Sequence, residues 1–255
     1  MEIFLPLAEG TIVILKETGA FEKVWDFIKG KKSYPILLVG ASGTGKTSLL
    51  KALQGEATNI RRQDRTDDIK KVSGKIEGVP LKILDTPGEV FHNSIRLRAY
   101  QEALHEKSIG ILNVASFGYH EGRTEASKAV KDGKASEEYL EERRKIEVSL
   151  INEWAPILCD GDGPCDWLVT VVTKADLWWN KGPDQPTIQY YENGPYQDII
   201  GKYGSTPHSA KSYSSTDGLF YDQVPMSGYY SSKLRKADHD SLVAHILDKV
   251  ATHGQ

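Results

Sequence analysis

The chain has 255 residues, 39% of them hydrophobic and 26% charged, with a formal net charge of −3. This composition suits an ordinary globular protein with a substantial core, and the slight negative charge gives no electrostatic reason to expect a nucleic-acid partner. No basic segment leads into a long apolar run, and no stretch approaches the roughly 18 apolar residues a bilayer crossing needs, so no transmembrane segment and a cytoplasmic location are expected.

Residues 1–32 read as an extension that packs on the core, or on a partner. Ile3-Phe4-Leu5 and Thr11-Ile12-Val13-Ile14-Leu15 have the composition of short strands around a turn at Glu9-Gly10, and Phe21, Val24, Trp25 and Ile28 fall on one face of a helix closed by Gly30. The apolar run Ile36-Leu37-Leu38-Val39 then reads as a buried strand. It leads into Gly40, Ala41, Ser42, Gly43, Thr44, Gly45, Lys46 and Thr47, after which Ser48 to Leu53 continue as a helix that Gly55 ends.

This strand, glycine-rich loop and helix form a phosphate cradle. Its backbone N–H groups point at an anion lying at the positive end of the helix dipole. Lys46 is placed to reach β- and γ-phosphates and the Thr47 hydroxyl to hold Mg²⁺, with Gly40 to Ser48 as the phosphate-binding set. A turn that bound nothing would need neither the lysine nor the threonine at those offsets.

Residues 56–68 are too polar for a core. Ile69 to Ile76 and Pro80 to Leu84 alternate in polarity about Glu77-Gly78-Val79, which predicts a hairpin whose second strand delivers Asp85-Thr86-Pro87-Gly88. Phe91 to Lys107 read as a helix and Ile109 to Val114 as a strand. Residues 116–136 are polar, without periodicity and long for a connection, so they are expected to be either a functional loop or disordered. From Ser136 a helix follows, with Ile146, Leu150, Ile151, Trp154 and Leu158 as its buried stripe.

Cys159 and Cys165 admit a disulfide, half a metal site or two reduced thiols. Reduced thiols fit best, because no other cysteine or clustered histidine completes a zinc set. Asp160 and Asp162 resemble the start of a calcium loop that no glutamate closes. Trp167 to Val172 form a continuous apolar strand ending in Thr173-Lys174-Ala175-Asp176. Any helix in 180–204 is short, a Ser/Tyr/Gly-rich segment runs to about 232, and an amphipathic helix at 241–250 ends the pattern.

Taken in order, the phosphate loop 40–47, Thr66 in a charged loop, Asp85 to Gly88, Thr173 to Asp176 and Ser209-Ala210-Lys211 resemble the five signature motifs of the GTPase superfamily. The resemblance spans most of 34–211 and implies a three-layer α/β P-loop fold. Its sheet would be mostly parallel with one antiparallel edge hairpin, in a single G domain over 33–255 with insertions near 116–136 and 212–232. It also implies GTP and GDP as ligands and Mg²⁺ as cofactor, held by Thr47, Thr66 and Asp85, with Gly88 at the γ-phosphate. Thr173, Lys174, Asp176, Ser209, Ala210 and Lys211 would hold guanine, the Asp176 carboxylate accepting two base hydrogens that adenine does not offer.

Lys46, Thr66, Gly88 and Glu89 are the expected catalytic set for hydrolysis used as a switch on a protein effector. The sequence departs from the family at Glu89, where Ras-like members carry a water-orienting glutamine. A carboxylate there repels the γ-phosphate, so turnover is expected to be slow. Arg61, Arg62, Arg65 and, less well placed, Arg123 are candidates for a supplementary cation. The competing readings are a pseudo-GTPase scaffold, favoured by Glu89, and a P-loop ATPase or kinase, disfavoured by Asp176.

Overall fold

The apolar runs of the sequence become neighbouring strands because each is buried on both faces. In the computed structural model the described residues are 7–30, 33–56, 70–77, 79–86, 93–122, 126–182, 185–203, 206–215 and 218–254; the side chains of residues 70–74, 85 and 93 are also left undescribed. In chain order the elements are α1 (Glu9–Glu17), α2 (Phe21–Lys29), β1 (Tyr34–Gly40), α3 (Lys46–Leu53), β2 (Lys70–Ile76), β3 (Val79–Asp85), α4 (Asn93–Leu104) and β4 (Ile109–Ala115). Next come α5 (Ala126–Ala129), β5 (Val130–Lys131), β6 (Lys134–Ala135), α6 (Glu137–Leu158), β7 (Cys165–Val172) and α7 (Ala175–Trp178). The last are α8 (Pro186–Asn193), α9 (Pro195–Ile200), β8 (His208–Ser212) and α10 (Ser232–His253).

Six strands form one sheet in the order β2-β3-β1-β4-β7-β8, parallel throughout except for the antiparallel edge pair β2–β3. Alternation along the strands divides the core. Ile36 and Leu38 of β1, Leu112 and Val114 of β4 and Trp167, Val169 and Val171 of β7 face one layer, with α1, α2, α3 and α10. Leu37, Val39, Ile111, Ala115, Leu168 and Val172 face the other, with α4, α6 and α9. This is a three-layer α/β P-loop fold, and parallel strands put every strand-to-helix loop of the core at one end of the sheet.

Two expectations change. Thr11 to Leu15 are helical, within α1; the β-branched run reads as strand, yet Thr11 and Leu15 lie one helical turn apart and are both buried, with α1 packed on α10. Packing overrides propensity here. Ile3-Phe4-Leu5 lie outside the described residues. Apart from 123–125, which are not described, the segment 116–136 is built rather than shapeless: α5 and the β5–β6 hairpin fold back onto α6. Its Val130 joins Tyr139, Leu140, Phe220 and Tyr221 in a small separate core. Cys159 and Cys165 are buried free thiols, and contact with Cys159 followed by burial pushes the Cys165 thiol above its ordinary range.

Candidate nucleotide site

Phosphate-loop geometry follows from its glycines. At the end of β1, Gly40 has φ +140°, and a Cβ there would lie 2.2 Å from the Val114 carbonyl oxygen of β4, so the chain can turn only without a side chain. Gly43, at φ +78°, is also closely approached, since a Cβ would meet the Glu121 backbone nitrogen at 2.6 Å. Lys46 opens α3 and is buried; its ammonium donates to the carbonyl oxygens of Gly40 at 2.8 Å and Ala41 at 2.9 Å. The Thr44 hydroxyl donates to the Ala41 carbonyl at 2.9 Å, and Thr47 is half-buried on the first turn of α3. Gly40 to Ser48 therefore form one contiguous cradle at the helix N-terminus.

β3 reaches the same end of the sheet, with Asp85 opposite Leu38 of β1, and the Thr86 hydroxyl donates to the Leu38 carbonyl at 2.9 Å. Thr66, Gly88 and Glu89, the side chain of Asp85 and the arginines at 61, 62, 65 and 123 lie outside the described residues.

From the other side β7 delivers the candidate base loop, Thr173 to Asp176. The buried Thr173 hydroxyl bonds to the Thr44 carbonyl of the phosphate loop and to the Ala115 carbonyl of β4. Lys174 adopts the left-handed conformation at φ +57°, and its ammonium donates to the Tyr119 carbonyl at 2.6 Å and to Glu121 Oε2 at 2.9 Å. Asp176 is buried at 4% exposure. Its Oδ1 accepts from the Ser214 hydroxyl at 2.6 Å and its Oδ2 from the Gly218 N–H at 3.3 Å. Burial raises its carboxyl above the ordinary aspartate value, and those two hydrogen bonds only partly offset the shift.

Ser209-Ala210-Lys211 do not reach this place. They lie inside β8, paired with Val169, Thr170 and Val171 of β7, so Ala210 sits two residues before the strand's end. Ala210 is buried between the layers, and the Ser209 hydroxyl meets His245 Nε2 of α10 at 3.0 Å. The expectation placed the loop too early in the chain. The loop that leaves β8 beside Asp176 is Tyr213-Ser214-Ser215, joined to the base loop by the Ala175 N–H donating to the Tyr213 carbonyl at 3.1 Å.

Glu147 also escaped the sequence reading, which saw only the apolar stripe of α6. It is 4% exposed and accepts from the N–H groups of Ser116 at 2.8 Å and Gly118 at 3.3 Å, from His120 Nε2 at 2.8 Å and from the Tyr191 hydroxyl at 2.6 Å. Burial alone would raise this carboxyl, but the bonds from His120, Tyr191 and Ser116 hold it below its ordinary value.

The glycine-rich loop and the buried Asp176 carboxylate therefore lie together at the carboxyl ends of parallel strands, as a candidate nucleotide site. Residues 35–153 match the family model described as 50S ribosome-binding GTPase. Among solved structures it is similar to Toc33 from Arabidopsis thaliana in complex with Mg²⁺ and GMPPNP, at 18% identity over 92% of each chain and a TM-score of 0.47. It is also similar to the Arl6 BBS3 small GTPase from Trypanosoma brucei with bound GppNp, at 10% identity over 86% of this chain and 98% of that one, with a TM-score of 0.48. TM-scores below 0.5 leave these as resemblances only. No curated protein matches the chain.

Proposed function

We propose that residues 33–255 form one G domain that binds GTP and GDP with Mg²⁺ and hydrolyses GTP slowly, as a switch read by a protein partner, with 1–32 as an appended helical extension. The observation that carries the guanine reading is the Asp176 carboxylate, buried at the end of β7 and oriented by Ser214 and Gly218, in a loop bonded through Thr173 to the phosphate cradle. Oriented in this way, a carboxylate accepts the N1 and N2 hydrogens of guanine, while adenine presents an acceptor at N1. Ser214 positions Asp176, and the backbone N–H groups that follow Tyr213 are the proposed donors for guanine O6, the role first given to Ala210, since the N–H of Tyr213 itself donates to the Val172 carbonyl.

Lys46 would lie along the β- and γ-phosphates, exchanging the loop carbonyls it now binds for phosphate oxygens. The Thr47 hydroxyl and the carboxylate of Asp85 are hard oxygen donors of the kind Mg²⁺ takes, and the metal would neutralise charge on the phosphates. Thr66 and the Gly88 N–H complete the γ-phosphate contacts in this reading. Hydrolysis needs in-line attack by water with charge spread over the γ-phosphate oxygens, so these residues act by position and field. Glu89 places a like charge near the attacking water, which supports slow turnover.

The test is calorimetric titration with GDP, GTP, ATP and XTP in Mg²⁺, followed by phosphate release under single-turnover conditions. Guanine preference with slow release is the expected result. Preference for ATP, or no binding of any nucleotide at millimolar concentration, overturns the proposal, and tight GTP binding without release leaves a binding scaffold.

A further inference from the structure

The insertion 116–136 touches both loops that would hold the nucleotide, and the Glu121 side chain, beside the Tyr119 carbonyl that also accepts from Lys174, takes part in the connection. The Glu121 backbone packs against the phosphate loop where a Cβ on Gly43 would lie 2.6 Å from its nitrogen and 2.8 Å from its carbonyl oxygen. Among the partners of its carboxylate, the Lys174 ammonium donates to Oε2 at 2.9 Å and the Tyr221 N–H donates to Oε1 at 2.9 Å. Tyr221 belongs to the segment that also supplies Ser214 and Gly218 to Asp176. One carboxylate therefore joins the base loop to the segment that orients its aspartate, beside the phosphate loop.

The placement is held from behind. Glu147 fixes the root of the 116–122 loop through three of its donors, Ser116, Gly118 and His120, with Tyr191 of α8 as the fourth; the Tyr139 hydroxyl donates to the His120 carbonyl at 2.9 Å, and the Gly122 N–H donates to the Tyr221 hydroxyl at 2.7 Å. Phe220 and Tyr221 pack with Tyr139 and Leu140 beneath it. An acceptor so constrained loses little entropy when it bonds Lys174. The Lys174–Glu121 pair is only partly solvated, with side-chain exposures of 17% and 32%, which places it between a surface pair and a buried one.

We infer that Glu121 is a positioning residue that latches the two insertions across the base loop and sets the rate at which bound guanine nucleotide leaves. The inference rests on the guanine-nucleotide reading of the same site. Release of the base requires Lys174 and the 213–221 segment to move apart, and the Glu121 carboxylate is bonded to both. Entry is limited by encounter and is less sensitive, so the effect falls on dissociation.

The experiment is displacement of a fluorescent GDP analogue from the full chain by excess GDP. Glu121→Ala is expected to raise the dissociation rate about tenfold to a hundredfold, the range for losing a charge-assisted hydrogen bond, with a much smaller change in association. Glu121→Gln keeps an acceptor for Tyr221 but removes the charge opposite Lys174, and its rate should fall between wild type and Glu121→Ala. High salt should speed release from wild type more than from either variant, a dependence a purely structural residue would not produce. Glu141→Ala, exposed on α6, should release at the wild-type rate. A wild-type rate and salt response in Glu121→Gln overturns the latch, including the case in which Glu121→Ala fails to fold. Absence of binding by the wild-type chain overturns the guanine reading and the latch with it.

Discussion

The phosphate end and the base end of the candidate site lie at the same edge of the same sheet, yet they are built differently. The candidate phosphate end is one contiguous stretch, Gly40 to Ser48, whose proposed ligating groups are mostly backbone N–H and whose glycines meet local steric demands. The base end converges from three separated segments: Asp176 after β7, Ser214 and Gly218 after β8, and Glu121 from the insertion after β4. Backbone-built sites are written in short motifs, whereas sites built from converging side chains depend on where distant strands stop.

The largest effect that separates the two ends is expected from Lys46→Ala. It removes a buried ammonium from the cradle while leaving the backbone donors in place, so affinity for GDP and GTP should fall about a hundredfold or more with the thermal midpoint little changed. Calorimetry with both nucleotides checks this, and unchanged affinity removes the phosphate assignment.

Asp176→Asn acts only at the other end. The amide offers an N–H₂ where xanthine carries its second oxygen, so selectivity should pass from GTP to XTP while phosphate contacts persist. In the wild type, guanine affinity should also fall as the pH drops through the Asp176 value, which burial raises above that of an ordinary aspartate. The sign follows from the carboxylate being the required form: affinity is present above that value and lost below it, and Asp176→Asn should abolish the dependence. Competition between GTP and XTP across pH reads both effects.

How much of this was legible in the sequence follows the same division. Gly40 to Thr47, the apolar strands at 36–39, 109–114 and 167–172, the hairpin ending at Asp85 and the Thr173-to-Asp176 loop could all be read locally, because each carries its own steric or periodic signature. Ser209-Ala210-Lys211 were misplaced because a three-residue motif says nothing about strand register, and Ser214 is identified only once β8 is paired with β7. Glu121 and Glu147 left no sequence signal; their meaning lies in donors 27 to 100 residues away. Ser214→Ala tests the corrected register: guanine affinity should fall about fivefold to tenfold, the range for one buried hydrogen bond to a charged group, while Ser209→Ala leaves it unchanged. The opposite pattern would restore the first placement.

The smallest effect concerns stability and is expected to leave the nucleotide site alone. His208 of β8 bonds Thr170 and Gln197, and His245 of α10 bonds Ser209, so the strand that ends at the base loop is held by two histidines packed as neutral rings. Burial lowers both to about 4, helped at His245 by the charges of Lys211 and Lys249. In the unfolded chain each titrates near 6.5, so the unfolded state binds the extra protons between the two values. The stabilisation is complete above about pH 6.5 and is lost as the pH falls toward 4, at most about 1.4 kcal/mol per pH unit for each histidine and less where solvent reaches the ring. Urea midpoints measured from pH 7.5 to 5 should therefore decline, and His245→Gln, which keeps a hydrogen-bonding partner for Ser209 but does not titrate, should flatten the decline by roughly half. If His245→Gln instead weakened guanine binding at pH 7.5, β8 would be part of the base site after all, and the separation between a strand that supports the loop and a loop that meets the base would fail.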